Sequence, residues 1–372
     1  MKRIYNKLIN ILYSIVRKTE LVKTWTAEWF AIFRKKTLYK DVKWTKEQQK
    51  EFDEFWKTNY GKKISNRWHK LYEACSREHR IDYLPEILYT TKIEPKFNNY
   101  EYCKVYADKN LNEIFFNGRI DGVRTPKTFL SNSHGRFYDG DRHLISREKA
   151  IEIFANVGMA VIKPAVDSSS GKNVVIVEMK EGKNIRNGAS AEDIINSYKV
   201  NFIVQEKIVP NKELETLYPK AINTVRAISY IVGDRIEIAP LSLRIGGGGS
   251  EVDNIHAGGM SVAVSDEGSL HKFAYRLGYG DSIEKYASHP DTGIVFEGYK
   301  LSFMSKIVKV AKNLHELTSN IGVVSWDFTV DKEDNVVIIE ANFRGQSVWF
   351  PQMLSGNAFF GNDTAEILSC AK

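Results

Sequence analysis

The sequence predicts an α+β fold in which a helical region precedes a body of strands and helices. Residues 44 to 80 have the spacing of helices, whereas short β-branched runs separated by turn residues begin beyond Val105. The strands mostly follow one another directly, which differs from the strict alternation of a doubly wound sheet. The sequence contains no GxGxxG motif, so a Rossmann sheet is not expected.

Length and composition indicate an ordinary globular protein of two to three folded units. The chain has 372 residues, of which 43% are hydrophobic and 27% charged. The three cysteines are an odd number at spacings that match neither a disulfide framework nor a metal knuckle. A reducing, cytoplasmic location is therefore expected.

The positive charge is concentrated at the N-terminus. Residues 1 to 50 contain 13 Lys or Arg against 4 Asp or Glu, while residues 51 to 372 contain 40 against 42. A nucleic-acid enzyme usually carries basic surface on the domain that works, and this body has none in excess. Nucleic acid is therefore not expected as a partner.

Residues 1–40 form a basic amphipathic region. Its longest early apolar run, Ile11 to Tyr13, is far shorter than the ~20 residues of a membrane span. Aromatic residues from Trp25 to Phe33 precede three consecutive cations, which suits a helix lying on the cytoplasmic face of the inner membrane. A helix that packs on its own protein explains the same pattern, and the sequence leaves both interpretations open.

The expected organisation has four parts. A helical domain over 41–104 follows the basic region, then one α/β subdomain over 105–200 and a second over 201–372. Strands are predicted at 159–163, 173–178, 201–208 and 224–232. Helices are predicted near 109–118, 146–157, 190–198 and 299–319.

A loop of small polar residues separates two of these strands. Lys163 ends the first strand, and the loop can bring backbone N–H groups and hydroxyls close to a polyphosphate. Taken alone, such a loop is more often a plain turn. The residues expected on the phosphates are Ser168, Ser169, Ser170 and Gly171.

The strand end VQEKIV is a second candidate for nucleotide contact. Backbone groups of Gln205, Glu206, Lys207 and Ile208 could bind an adenine, and Glu213 could accept from ribose hydroxyls. An ordinary strand end remains the alternative.

The run VVSWDFTVDKEDNVVIIEANFRGQ carries the strongest local argument. A four-residue loop would place Asp331 opposite Val336, and in that register Asp327 opposes Glu340. Opposed residues on one face lie about 4.5 to 5.5 Å apart at Cβ, so the two carboxylates can share a cation. Asn342 lies on the same face as Glu340. This hard oxygen set predicts a Mg²⁺ site at Asp327, Glu340 and Asn342.

In order along the chain, ADKNLNEIFF, VIKP with DSSSGKNV, VQEKIV, and DF with IIEANFRG resemble motifs of the ATP-grasp superfamily of carboxylate-amine ligases. The chain is most similar to the branch associated with sugar transfer, over roughly residues 80 to 365. The resemblance implies two α/β subdomains that hold ATP between them, with Lys109 and Lys163 on the phosphates.

A fifth block, from Asn223 to Gly259, is similar to the ligases' substrate-facing strands and N-x-H-x-G-G turn. It implies catalytic roles for Arg226, Arg244 and Asn254, with His256 either positioning a glycine flap or serving the structure. The resemblance also implies that Arg344 stabilises the transferred phosphoryl group. Asn223 departs from the family, which usually has an acid there, and four consecutive glycines follow Ile245.

The resemblance implies an ATP- and Mg²⁺-dependent ligase that forms an amide through an acyl phosphate. The expected partners are an amino acid and a uronic acid of a bacterial capsule or O-antigen glycan. Three alternatives remain open: a ligase of amino acids or peptides without sugar, a kinase of a glycan hydroxyl, and a nucleotide-binding scaffold without catalysis.

Overall fold

The computed structural model describes residues 18–19, 21–166, 173–254, 258–278 and 282–371. These residues form two compact units. Unit 1 takes the described residues up to Asn99, those from Gly345 onward, and Gly278 and Ser282. Unit 2 takes the remainder, from Tyr100 to Arg344. The predicted division at residues 40, 104 and 200 stays a prediction.

Unit 1 is helical, as the sequence predicts for the region before the strands. Thr45 and Gln48 form a capping box at the start of the helix Lys46–Tyr60, which is followed by Gly61 in the left-handed conformation. A π-helical turn, Tyr89–Ile93, interrupts the chain before α6. The helices are α1 (residues 21–34), α2 (Lys36–Tyr39), α3 (Lys46–Tyr60), α4 (Arg67–Ser76), α5 (Glu86–Leu88), α6 (Glu94–Phe97), and, beyond unit 2, α13 (Trp349–Ser355) and α14 (Thr364–Cys370).

Unit 2 contains the strands and the remaining helices. The helices are α7 (Tyr100–Tyr106), α8 (Lys109–Phe116), α9 (Arg147–Ala155), α10 (Ala191–Tyr198), α11 (Lys212–Leu217) and α12 (Met304–Glu316). The strands are β1 (Val123–Arg124), β2 (Thr128–Ser133), β3 (Arg136–Asp139), β4 (Leu144–Ile145), β5 (Met159–Pro164), β6 (Val175–Lys180), β7 (Lys183–Asn184), β8 (Phe202–Glu206), β9 (Thr224–Val232), β10 (Arg235–Ile238), β11 (Leu241–Ile245), β12 (Met260–Val264), β13 (Leu270–Leu277), β14 (Ile283–Tyr286), β15 (Val323–Val330) and β16 (Val336–Asn342).

Two sheets make up unit 2. The smaller has the order β4-β3-β2-β8-β5-β6-β7, and the larger has β1-β16-β15-β9-β11-β12-β13-β14 with β10 beside β9. Among the described strands β1 and β16 pair in parallel, and the other pairings are antiparallel. The α+β prediction is therefore confirmed, as is the absence of a parallel doubly wound sheet from the described part.

Each sheet has its own core. Phe154 of α9 and Ile195 of α10 pack with Phe202 against the smaller sheet. Ile307 and Leu314 of α12 belong to the core of the larger sheet, along with many other buried side chains. The apolar spacing of α12 predicts this burial, although the helix is shorter than the predicted 299–319.

Much of the N-terminal prediction lies outside the described residues, which include Lys18 and Thr19 of the first twenty. No helix within the described residues is both long and apolar enough to cross a bilayer.

The side chain of Gln352 fastens the two parts of unit 1. Its Oε1 accepts from the N–H groups of Leu84 and Phe359 at 2.7 and 3.0 Å. Its Nε2 donates to the carbonyls of Leu84 and Val348, both at 2.9 Å. All four hydrogen-bonding positions of this buried amide are used, so it joins segments far apart in sequence.

Gln352→Glu tests this fastening, because a carboxylate keeps the two acceptor positions but cannot make both donations. We expect the free energy of unfolding to fall by about 2 to 3 kcal/mol. Urea unfolding followed by tryptophan fluorescence measures it, since six of the seven Trp lie in unit 1. Exposed Asn187 only accepts, from the N–H of Ala189, so Asn187→Asp is the neutral control. Equal midpoints for both variants would contradict the assignment.

Glu86 is a buried carboxylate in the same unit. Its Oε2 accepts from the N–H groups of Val348 and Trp349, each at 2.8 Å. Burial, followed by the charge of Glu28, raises the pKa of Glu86 to about 8 in spite of these two bonds.

Stability should therefore fall as the pH rises from about 4.5 to about 8, because the folded chain holds the Glu86 proton more tightly than the unfolded chain. Glu86→Gln keeps an acceptor for both N–H groups and carries no charge to bury. Its free energy of unfolding should gain about 4 kcal/mol on the parent between the two ends of this window. Urea unfolding across the range measures the gain. The exposed Glu366→Gln should track the parent, and a Glu86→Gln curve parallel to the parent's would refute the raised pKa.

Candidate active site

The strands β15 and β16 carry the two carboxylates that the sequence singles out. Asp327 pairs with Glu340 across the strands, as predicted, and Ser325 pairs with Asn342. Partners in register share a face of the sheet, and Asn342 follows Glu340 by two residues. The three predicted metal ligands therefore lie on one face.

The predicted turn register is wrong by one residue. Val330, not Asp331, pairs with Val336, and the offset is absorbed by a bulge at Ile339 before the Asp327 pair. Asp331 is drawn into the turn because its Oδ1 accepts from the N–H groups of Glu333 and Asn335 at 3.0 and 2.8 Å.

Two arginines enclose the carboxylate of Asp327. Arg226, its partner on β9, donates from Nε to Oδ1 at 2.9 Å and from Nη2 to Oδ2 at 2.8 Å. Arg244 on β11 donates from Nη1 to Oδ2 at 3.0 Å. Burial opposes ionisation of Asp327, but the charges of Arg226 and Arg244 outweigh it and lower the pKa of Asp327.

A second carboxylate, Asp253, holds the other side of Arg244. Its Oδ1 accepts from Nη2 of Arg244 at 3.2 Å, and its Oδ2 accepts from the hydroxyl of Thr224. Burial raises the pKa of Asp253 although Arg244 opposes that shift. Sequence reasoning missed Asp253; the signal available was an acid directly before Asn254 in the predicted substrate-facing turn.

The two predicted phosphate lysines come together beside Glu340. Lys109 is the first residue of α8, and its Nζ lies 2.9 Å from Oε1 of Glu340. The N–H of Lys109 donates to the carbonyl of Ala165 at 2.9 Å, which ties α8 to the end of the strand bearing Lys163. Burial, and then the charge of Lys109, lowers the pKa of Lys163 to about 8 against the effect of Glu340.

The predicted adenine segment lies at the end of β8, and its first two side chains have structural partners. Gln205 donates to the carbonyl of Pro126 at 3.3 Å. Glu206 accepts from the N–H of Lys127 at 2.8 Å and from Arg124. Arg124 also donates to Asp331 at 2.8 Å, a link that no sequence pattern predicts. Lys207 is half-buried and Ile208 buried, directly beyond the strand.

Two predicted site residues have described contacts elsewhere. The carboxylate of Glu213 accepts from the N–H and hydroxyl of Ser302 at 2.8 and 2.6 Å, just before α12. Arg344 is exposed, and its guanidinium lies 4.2 Å from the ring centre of Tyr100. Within the described residues, no hydrogen bond or ion pair of these two side chains reaches Asp327, Lys109 or Lys163. Their roles toward ATP and substrate stay predictions.

Other predicted residues lie beside or outside the described ranges. Buried Asn254 accepts at its carbonyl from the N–H of Gly259 at 3.0 Å. His256 and the predicted phosphate loop residues lie outside the described residues: Ser168, Ser169, Ser170 and Gly171.

Asn223 uses chemistry that an acid lacks. Its Nδ2 donates to the carbonyls of Leu214 and Tyr218 at 2.6 and 3.0 Å, and its Oδ1 accepts from the N–H of Gly246 at 3.1 Å. Gly246 is also tightly packed, because an added Cβ would lie 2.6 Å from that of Ala221. The four-glycine segment, expected to be a mobile flap, is thus fastened at its first residue.

The cluster therefore contains four cations, at Lys109, Lys163, Arg226 and Arg244, and three carboxylates, at Asp253, Asp327 and Glu340. No group of three or more His, Cys, Asp or Glu side chains in the described ranges is arranged to hold a metal. The oxygen set here combines two carboxylates with the amide of Asn342. An excess of cations suits a polyphosphate, and hard oxygens suit Mg²⁺, so the residues fit both.

Comparison with protein families gives one match. The family described as sugar-transfer associated ATP-grasp matches residues 88–366, which includes every residue of this cluster. No curated protein sequence matches the chain.

Solved structures similar to this chain include several ligases. A D-Ala:D-Ser ligase from Enterococcus faecalis has 14% identity and a TM-score of 0.41, with 72% of this chain and 61% of that chain covered. An L-amino acid ligase from Bacillus licheniformis has 12% identity and a TM-score of 0.39, with coverages of 73% and 48%. Biotin carboxylase from Campylobacter jejuni has 14% identity and a TM-score of 0.41, with coverages of 74% and 48%. The chain thus spans less than two thirds of each of these proteins.

Asn223→Asp tests the departure from the family pattern. The change removes two donations to buried carbonyls and places a carboxylate against them, so we expect the free energy of unfolding to fall by about 2 to 4 kcal/mol. Denaturant unfolding measures this, with the exposed Asn357→Asp as the matched control. A variant as stable as the parent would show that the amide donations of Asn223 are dispensable.

Proposed function

The chain belongs to the sugar-transfer associated ATP-grasp family, and from that premise we propose that it is an ATP-dependent carboxylate-amine ligase. The observation that carries the proposal is the cluster of four cations and three carboxylates around Asp327 and Glu340. It has an excess of positive charge, partly buried arginines and hard oxygen donors within one group of neighbouring elements.

In the proposed reaction an oxygen of the substrate carboxylate attacks the γ-phosphorus of ATP, and ADP leaves. The amine of the second substrate then attacks the acyl carbon, phosphate leaves, and the nitrogen gives up a proton to form the amide. Both steps develop negative charge on oxygen, which preorganised cations stabilise. The chain need not supply a nucleophile.

We assign the phosphates of ATP to Lys109 and Lys163, and the transferred phosphoryl group to Arg226 and Arg244. Asp253 keeps the guanidinium of Arg244 in place, because it holds the edge that faces away from Asp327. Mg²⁺ would be held by Glu340 and Asn342 with Asp327, and when bound it would neutralise charge on the phosphate oxygens.

The cations and the carboxylates of the cluster form ion pairs with one another, and this pairing supports the proposal. Lys109 bonds Glu340, and Asp327 bonds both arginines. A bound polyphosphate offers Lys109 an alternative partner, which would release Glu340 for the metal. The Oδ1 atom of Asp327 accepts from Nε of Arg226 and retains lone-pair capacity for a metal ion.

For substrates we propose an amino acid and the carboxylate of a uronic acid in a bacterial capsule or O-antigen glycan. The family is associated with sugar transfer. Formation of an acyl phosphate requires a carboxylate on the substrate, and a uronic acid is a sugar that carries a carboxylate. We place the reaction in the cytoplasm, where ATP is available and where the described cysteines, which form no disulfide with one another, would stay reduced.

Phosphate release by the purified chain tests this function. The protein is incubated with Mg²⁺, ATP and pools of the twenty amino acids, with and without glucuronic and galacturonic acids, and the product mass is measured. We expect release that needs both substrates and a product lighter than their sum by one water. Glu340→Gln should lower turnover by on the order of 100-fold, since it removes charge from the proposed metal site, while Asp266→Asn on an exposed loop should not.

Calorimetric titration with ADP and Mg²⁺ separates binding from chemistry. Glu340→Gln should weaken ADP binding in the presence of Mg²⁺ and leave it little changed with EDTA. Full turnover by Glu340→Gln would contradict the assigned site. A product carrying an added phosphate would identify a kinase, and a product from amino acids alone would identify a ligase that uses no sugar.

A further inference from the structure

One face of helix α1 packs against the rest of unit 1. Ile32 and Lys35 are buried, and the hydroxyl of Tyr39 donates to the carbonyl of Ile32 at 3.2 Å. The ammonium of Lys35 lies 5.4 Å from the ring centre of Trp349. This side of the helix packs on the protein itself, which is one of the two interpretations that the sequence leaves open.

The neighbouring face of α1 is apolar and exposed. Residues three and four apart share a face at 3.6 residues per turn, which groups Val22, Trp25, Trp29 and Phe33, with Phe30 beside them. Their exposures range from 37% for Trp29 to 62% for Val22. The rings of Trp29 and Phe33 stack on each other with centres 5.6 Å apart. A face of large side chains exposed together marks an interaction surface.

Cations border this aromatic face. Lys23 and Arg34 lie three turns apart along one edge, and Lys18 and Lys36 lie toward its two ends; all four are exposed. The first 50 residues contain 13 Lys or Arg against 4 Asp or Glu, so the sequence on both sides of α1 also has a net positive charge. Aromatic residues at the centre and cations at the rim form the pattern of a helix that lies in a membrane interface.

We propose that α1 lies in the plane of an anionic lipid bilayer surface, with Trp25, Trp29 and Phe33 among the headgroups and upper acyl chains. Lys23 and Arg34 contact the lipid phosphates. A second copy of the chain is a poorer occupant, because it would bring the same cations against these. The proposal is independent of the ligase activity.

Cosedimentation of the full chain with vesicles tests the proposal. Vesicles of phosphatidylcholine mixed with phosphatidylglycerol should bind the chain, those of phosphatidylcholine alone should bind it more weakly, and added salt should weaken binding. The triple variant Trp25→Ser, Trp29→Ser, Phe33→Ser should partition about tenfold less or lower still. Its substitutions are at exposed positions, so ADP binding should be unchanged. Leu144→Ser, at an exposed apolar residue of unit 2, is the matched control.

A charge pair of variants tests the cationic rim. Lys23→Glu with Arg34→Glu should abolish the preference for phosphatidylglycerol. Lys180→Glu with Lys183→Glu makes the same change in net charge on exposed residues of unit 2 and should preserve that preference. Equal losses in the two double variants would mean that overall charge, not α1, drives binding, and would overturn the proposal.

Two further outcomes would also overturn it. The first is equal binding of the parent and the triple aromatic variant to phosphatidylglycerol vesicles, or no binding by the parent. The second is a parent that is dimeric by light scattering without lipid while the triple variant is monomeric, which would make this face an interface between copies.

Discussion

The bidentate bond between Arg226 and Asp327 is the interaction on which the candidate site depends. It joins neighbouring positions of β9 and β15, and Arg244 completes it from β11. The carboxylate of Asp327 is buried and needs such partners, and the two partly buried guanidiniums compensate its charge. Thr224 and Asp253 extend the network to the turn at Asn254. The geometry is therefore fixed by strand register and does not require a ligand to assemble it.

The sequence predicts those parts of the structure that depend on local pattern. The strands β5 and β9 and the helices α9 and α12 follow from apolar periodicity, and the pair Asp327 and Glu340 follows from the alternation of strands around a turn. The ordered motifs predict the family, which is confirmed by a match over residues 88–366. These features are encoded within short segments, so one sequence is enough to see them.

What the sequence does not predict depends on distant partners or on small competing energies. The turn is shifted by one residue from the predicted register, and a bulge at Ile339 restores the pairing of Asp327 with Glu340. The shift arises because Asp331 accepts two hydrogen bonds within the turn instead of pairing in the ladder. The need for an amide at Asn223 arises from the carbonyls of Leu214 and Tyr218, which periodicity cannot reveal. Arg124 joins Glu206 and Asp331 across long separations in sequence.

The division of unit 1 between the two ends of the chain affects how the protein can fold as it is synthesised. Residues up to Asn99 are synthesised before unit 2, whereas Gln352 and their other partners from Gly345 onward are synthesised after it. When the partners from Gly345 onward are synthesised, nearly all residues of unit 2 are already present, and unit 2 can fold by itself. The early helices remain without these partners for about 250 residues of further synthesis, or about 12 to 50 seconds at roughly 5 to 20 residues per second. During that interval the nascent chain depends on chaperones or on its own charge to stay dispersed.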